Sequence, residues 1–146
     1  MRWKKHFLSA LLCGSVAPVM AGVYTDDLSR CLVESTSKSD KATLVQWVVV
    51  AISQHPSVSA LSKATDSDVE KANAAAGALF MQLLTDTCVE KSRKALKYEG
   101  AAAIQAAFAV LGQVATTDLF TDPNVQKVMA GLDKHLDTKK LEALKE

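Results

Sequence analysis

The chain has 146 residues, 49% of them hydrophobic and 23% charged, with 17 Lys+Arg against 16 Asp+Glu and a formal net charge of +1. A near-neutral chain without a Lys/Arg cluster argues against a nucleic-acid binder, whose affinity rests largely on neutralising phosphates. The length admits one domain with a real core, and not two.

The amino terminus carries Arg2, Lys4 and Lys5, then an apolar run from Phe7 to Ala17, then Val19-Met20-Ala21 as a small-residue cleavage site. That order predicts a secretory signal peptide over residues 1–21, cut between Ala21 and Gly22. A retained anchor is the rival reading, but the uncharged stretch from Phe7 to Tyr24 is broken by Ser9, Gly14, Ser15 and Pro18. A span needs about 20 predominantly apolar residues, so no stable membrane span is expected after cleavage. Cys13 makes a poor lipoprotein cysteine, because Ala10-Leu11-Leu12 before it lacks the small residues that such processing favours. Cleavage takes three of the 17 basic residues away and leaves 14 against 16 acidic ones. The expected product is mildly acidic and periplasmic or secreted. It keeps Cys31 and Cys88, an even number in an oxidising compartment, which predicts one disulfide. In the chain-entropy model so long a loop contributes on the order of 4 kcal/mol.

Residues 22–146 read as a single all-α domain, a bundle of five to six helices, with no Asn-Gly or Asp-Gly hairpin signal. The first helix is expected to open at Thr25 or Asp26, with Leu28, Cys31 and Leu32 recurring at i, i+3, i+4. Ser35 to Asp40 is a polar joint in which Ser39 is the expected cap of the next helix. That helix, about Lys41 to His55, holds Leu44, Val45, Trp47, Val48, Val49, Val50, Ala51 and Ile52. It is apolar nearly all round, which predicts burial on most sides. The valine run also suits a strand, but no partner strand is evident. Pro56 is expected to end it and to start a short turn to Ser62.

A third helix is predicted from Ser67, where Ser67-Asp68-Val69-Glu70 matches a capping box. Val69, Ala72, Ala76, Leu79, Phe80, Leu83, Leu84 and Cys88 then keep helical spacing to about Lys94. The bridge would thus join the first and third helices. A fourth helix, about Gly100 to Thr116, is alanine-rich with Ile104, Phe108, Val110 and Leu111. Asp122-Pro123 opens a helix with Val125, Val128, Met129 and Leu132 on one stripe. Asp137-Thr138 begins a last short piece with Leu141 and Leu144, whose final residues fray.

Few residues point to chemistry. The cysteine spacing is unlike the Cys-x-x-Cys of redox pairs, and outside the leader only His55 and His135 could join them as soft metal ligands. Neither a metal nor a cofactor is expected, and no nucleophile motif marks a catalytic residue. His55, before Pro56, reads as a helix-terminal histidine bonding the last carbonyls, with a binding role as the alternative. Trp47 reads as core, with a partner-anchoring role as the alternative. Gln46, Asn73, Gln82, Gln105 and Gln113 are embedded amides that either face solvent, the expected case, or converge on a polar pocket.

A small, exported, bridged helical domain without catalytic or metal motifs is expected to work by contact. The leading expectation is a partner-binding protein of the cell envelope, either inhibitor or immunity-type or a chaperone or accessory, whose partner is another envelope or exported protein. In class, size and single bridge it resembles the small helical immunity proteins that Gram-negative bacteria export against cell-wall hydrolases. The alternative is a small-molecule or lipid carrier using the space between the valine-rich and alanine-rich helices. A hydrolase with converging carboxylates comes third. None of these features encodes an oligomeric state.

Overall fold

A computed structural model describes residues 22–145; the expected leader, residues 1–21 with Cys13, lies outside the described residues. All regular structure among the described residues is helical: α1 (Val23–Ser35), α2 (Lys38–Ser53), α3 (Pro56–Ser59), α4 (Asp66–Gln82), α5 (Val89–Glu99), α6 (Ala101–Phe120), α7 (Pro123–Ala130) and α8 (Thr138–Glu142). A π-helical turn, Leu83–Thr87, joins α4 to α5, and 3-10 turns follow α7 and α8. The all-α class holds.

Several boundaries differ from expectation, each for a capping reason. α1 starts at Val23, not at Thr25 or Asp26, and its N-cap, Gly22, makes no side-chain bond. The free amides are satisfied from outside: Glu99 accepts hydrogen bonds from Tyr24 N and Thr25 N, both at 2.9 Å, and from the Thr25 hydroxyl. α2 is capped by Ser37, not Ser39, in a reciprocal box with Asp40. α4 is capped by Thr65, not Ser67, in the same kind of box with Asp68. The pairing one turn apart is the rule in both; the segment offers two overlapping matches, and the earlier one prevails.

The third helix expected from Ser67 to Lys94 is two helices, α4 and α5. Its buried positions are Ala76, Leu79, Leu83, Cys88, Ser92 and Ala95, so the interval from Leu83 to Cys88 is one residue longer than an α turn allows. The π turn takes up that residue, with Cys88 N donating to the Leu83 carbonyl at 2.8 Å, and returns Cys88 to the core face. The Cys31–Cys88 disulfide forms across a Cα separation of 6.0 Å. It ties the middle of α1 to the residue that opens α5.

α1 packs chiefly on α6 and α5, and α2 on α4 and α6, so α6 is the shared element. Its Ala103, Ala107, Leu111 and Ala115 form a buried stripe against Leu28, Leu32, Leu44, Leu79 and Leu83. The small side chains let neighbouring helices come close. Gly100, at φ +80°, makes the reversal from α5 into α6 in a region that favours glycine. α6 is the one described helix long and apolar enough to cross a membrane; in this fold its small-residue stripe is the centre of the bundle. Beyond Phe120 the chain buries none of its described side chains. The stripe of Val125, Val128, Met129 and Leu132 is open, with Val128 78% and Leu132 62% exposed.

Candidate functional site

An apolar surface opens between α2 and α6. α2 packs against α4 on one side and α6 on the other, with α3 at its end, and no other described helix covers its remaining face. The expectation that it is buried on most sides is therefore wrong: among its residues only Leu44 and Ser53 are buried. Val48, Val49 and Ile52 are 41%, 52% and 56% exposed, and Phe120 across from them is 50% exposed. With Val45, Leu119 and a floor of Gly112 and Ala115, they line an apolar groove of about 170 Å³. Lys41 Nζ meets Asp118 Oδ2 at 2.7 Å, pinning the start of α2 to the end of α6. Four large aliphatic or aromatic side chains are thus left half open in one groove.

Trp47 lies at the edge of the core rather than within it. Its ring meets Phe80 edge-on at 5.7 Å, Phe80 meets Phe108 at 4.4 Å, and Trp47 Nε1 donates to Asn73 Oδ1 at 2.9 Å. The indole thus clamps α2 to α4. Asn73 is the one amide of the five with a side-chain partner; Gln46, Gln82, Gln105 and Gln113 are exposed, and no interior polar network forms. His55 is also exposed. Its Nδ1 accepts from Ser57 N at 3.2 Å, so it caps the start of α3 instead of bonding the end of α2. Pro56 at the first position of α3 draws it that way.

A second cleft, about 430 Å³, opens between the end of α4, the π turn, α5 and α6. Met81, Leu84, Val89, Leu96 and Ile104 make it apolar, with Ser92 and Arg93 among its walls. Arg93 Nη1 pairs with Glu90 Oε1 at 2.7 Å. Ser92 is buried, and its Oγ has no hydrogen-bond partner, an uncompensated cost in an otherwise satisfied interior.

Carboxylates are engaged wherever they meet a cleft. Asp118 and Asp122 share one beside Lys38 and Lys41, but Asp118 is held by Lys41 and Asp122 caps Asn124 N and Val125 N. Asp68 lines another and is committed to its box. The Thr65 hydroxyl, followed by the Thr65 amide, holds the Asp68 carboxyl below its usual value against an opposing effect of burial. Among the described residues no three His, Cys, Asp or Glu side chains converge as metal ligands would. The carrier alternative places its cavity between the valine-rich and alanine-rich helices, and a groove does open there, at the surface; Trp47 and His55 do not line it. What the sequence does not show is that its side chains stay half open. The available signal was a helix apolar on every side, which states how much surface seeks cover and not how much receives it.

No family model, curated protein or solved structure matches this chain.

Proposed function

We propose that this is a small exported partner-binding protein, acting by non-covalent contact through the α2–α6 groove. The observation that carries the reading is the half-open set of Val48, Val49, Ile52 and Phe120 on a bundle tied together by a disulfide. The occupant is an apolar helix or extended segment of another envelope or exported protein, seated with its side chains over Gly112 and Ala115. An uncharged floor accepts an apolar segment and repels a charged one, which must leave water unpaired. An inhibitor or an assembly accessory would use the same contact.

The test uses the mature oxidised chain as bait in native envelope extract, beside Val49→Asp and Ile52→Asp on the groove and Lys94→Glu on α5. A protein retained by the wild type and by Lys94→Glu, and lost by both groove variants at an unchanged melting temperature, supports the reading. Equal retention by all four overturns it. Mass in solution identifies a second copy as occupant, if Ile52→Asp halves it.

The carrier reading, expected between the valine-rich and alanine-rich helices, draws support from a different place, the unpartnered Ser92 hydroxyl in the wall of the larger apolar cleft. A ligand with an aliphatic body and one polar atom suits it. Such a ligand would co-purify with the wild type and be lost from Ser92→Val.

A further inference from the structure

Cleavage after Ala21 makes Gly22 the first residue, and Gly22 lies against a carboxylate. A Cβ on Gly22 would stand 2.1 Å from Glu99 Oε1 and 2.6 Å from Oε2. Standard backbone dimensions place a residue's nitrogen about 2.5 Å from its Cβ position, so the Gly22 nitrogen lies within about 4.6 Å of Oε1. We propose that Glu99 is the receptor for the α-ammonium of the processed chain, so that removal of the leader completes the cap tying α1 to α5. The inference rests on the processing reading and adds a binding site for its product.

Glu99 has capacity for this ligand. Its Oε2 takes Thr25 N and the Thr25 hydroxyl, whereas Oε1 takes Tyr24 N alone and keeps a lone pair. In the precursor the Gly22 nitrogen is a neutral amide. After cleavage it is an ammonium with three donors and an ordinary pKa of about 7.7–8.0. Such a cation at the positive end of α1 is unfavourable on its own, and Glu99 reverses the sign. Glycine suits the position, because a side chain at position 22 would meet the carboxylate and displace it from its place over Tyr24 and Thr25.

Other charged groups around the site are few. On α1, Asp26 is exposed, while Asp27 is engaged by Lys91 and Arg30. On α5, Tyr98 stacks on Tyr24 at 4.8 Å and Lys97 sits over the Tyr98 ring. On α6 the only ionisable residue is Asp118, at its far end and held by Lys41.

The test begins with amino-terminal sequencing of the exported protein; any first residue other than Gly22 overturns the processing reading, and with it the site. The pairing is tested separately, by NMR titration of the α-amino group in chains that begin at Gly22. In the wild type its pKa is expected above the ordinary range, each unit a tenfold preference for the charged form, and in Glu99→Gln it returns to that range or falls below it. A raised pKa stabilises the fold fully below the unfolded value, near pH 8, and the gain is lost as pH rises through the folded value. Melting temperature should therefore fall between about pH 8 and 10 in the wild type and stay level in the same chain acetylated at Gly22. The acetylated chain carries no substitution and covers the case in which Glu99→Gln does not fold. An unshifted α-amino pKa, or matching melting profiles with and without acetylation, overturns the pairing.

Discussion

Ser92 shows how a single atom can mark a site. Its residue is buried in the first half of α5, and its Oγ has no partner, whereas the buried hydroxyls of Ser29, Thr36 and Ser53 each donate to a carbonyl of their own helix. Leaving a hydroxyl unmade in the interior costs about 1 kcal/mol or more. Ser92→Ala removes that cost and adds helix propensity. The expected outcome is a gain of about 1 kcal/mol, read as a rise in melting temperature of about 4 °C. Denaturation of the two chains side by side checks it. A loss of similar size would mean that the hydroxyl is satisfied in solution by something bound in the cleft, which transfers weight to the carrier reading.

At the scale of elements, competing local signals decide the boundaries. Residues 65–70 contain both Thr65 with Asp68 and Ser67 with Glu70, and the fold uses the first. Thr65→Ala is expected to cost about 1 kcal/mol, and Ser67→Ala less than about 0.5 kcal/mol; thermal melts of the pair discriminate them. The same box has a pH signature. The Asp68 carboxyl titrates below its ordinary value of 3.8, chiefly because the Thr65 hydroxyl bonds its charged form. Its contribution is therefore present above that value and lost as pH falls through the folded one, and Thr65→Ala should flatten this acid limb.

The wide turn before Cys88 invites a sharper test. If it exists to absorb one extra residue, deleting exposed Asp86 restores a four-residue interval from Leu83 to Cys88 and leaves the cysteine facing α1. Bridge formation, counted by thiol titration, should survive the deletion. Free thiols in the deletion variant would show that the turn has another role. Helical class and bridge were legible because leucine spacing and two cysteines report them directly. The break at Cys88 was not, since Leu84 and Leu83 are equally good neighbours for it on paper and only packing against α1 selects Leu83. The place of the groove, between the valine-rich and alanine-rich helices, was legible as a small-molecule site, but its openness was not: Val48, Val49 and Ile52 look like core residues, and their exposure depends on no further helix among the described residues coming to cover α2.

On the scale of the whole molecule, apolar surface lacks cover at the α2–α6 groove, at the cleft beside Met81 and Leu96, and along the segment after Phe120, where Val128, Leu132 and Leu144 are 78%, 62% and 82% exposed. None of the described residues of that segment is buried, and the core is built from α1 to α6. Ending the chain after Asp122 should then leave the bundle intact, with a melting temperature within about 2 °C of the full chain, since surface changes away from packed features act within about 0.5 kcal/mol. The alternative has a definite signature. If the segment folds back over Val49 and Ile52 in solution, truncation uncovers them, stability drops by several degrees, and the truncated chain captures partners that the full chain does not. An unchanged melting temperature with unchanged capture places recognition in the groove alone. An unchanged melting temperature with lost capture makes the amphipathic segment part of the contact, and the partner then bridges segment and groove.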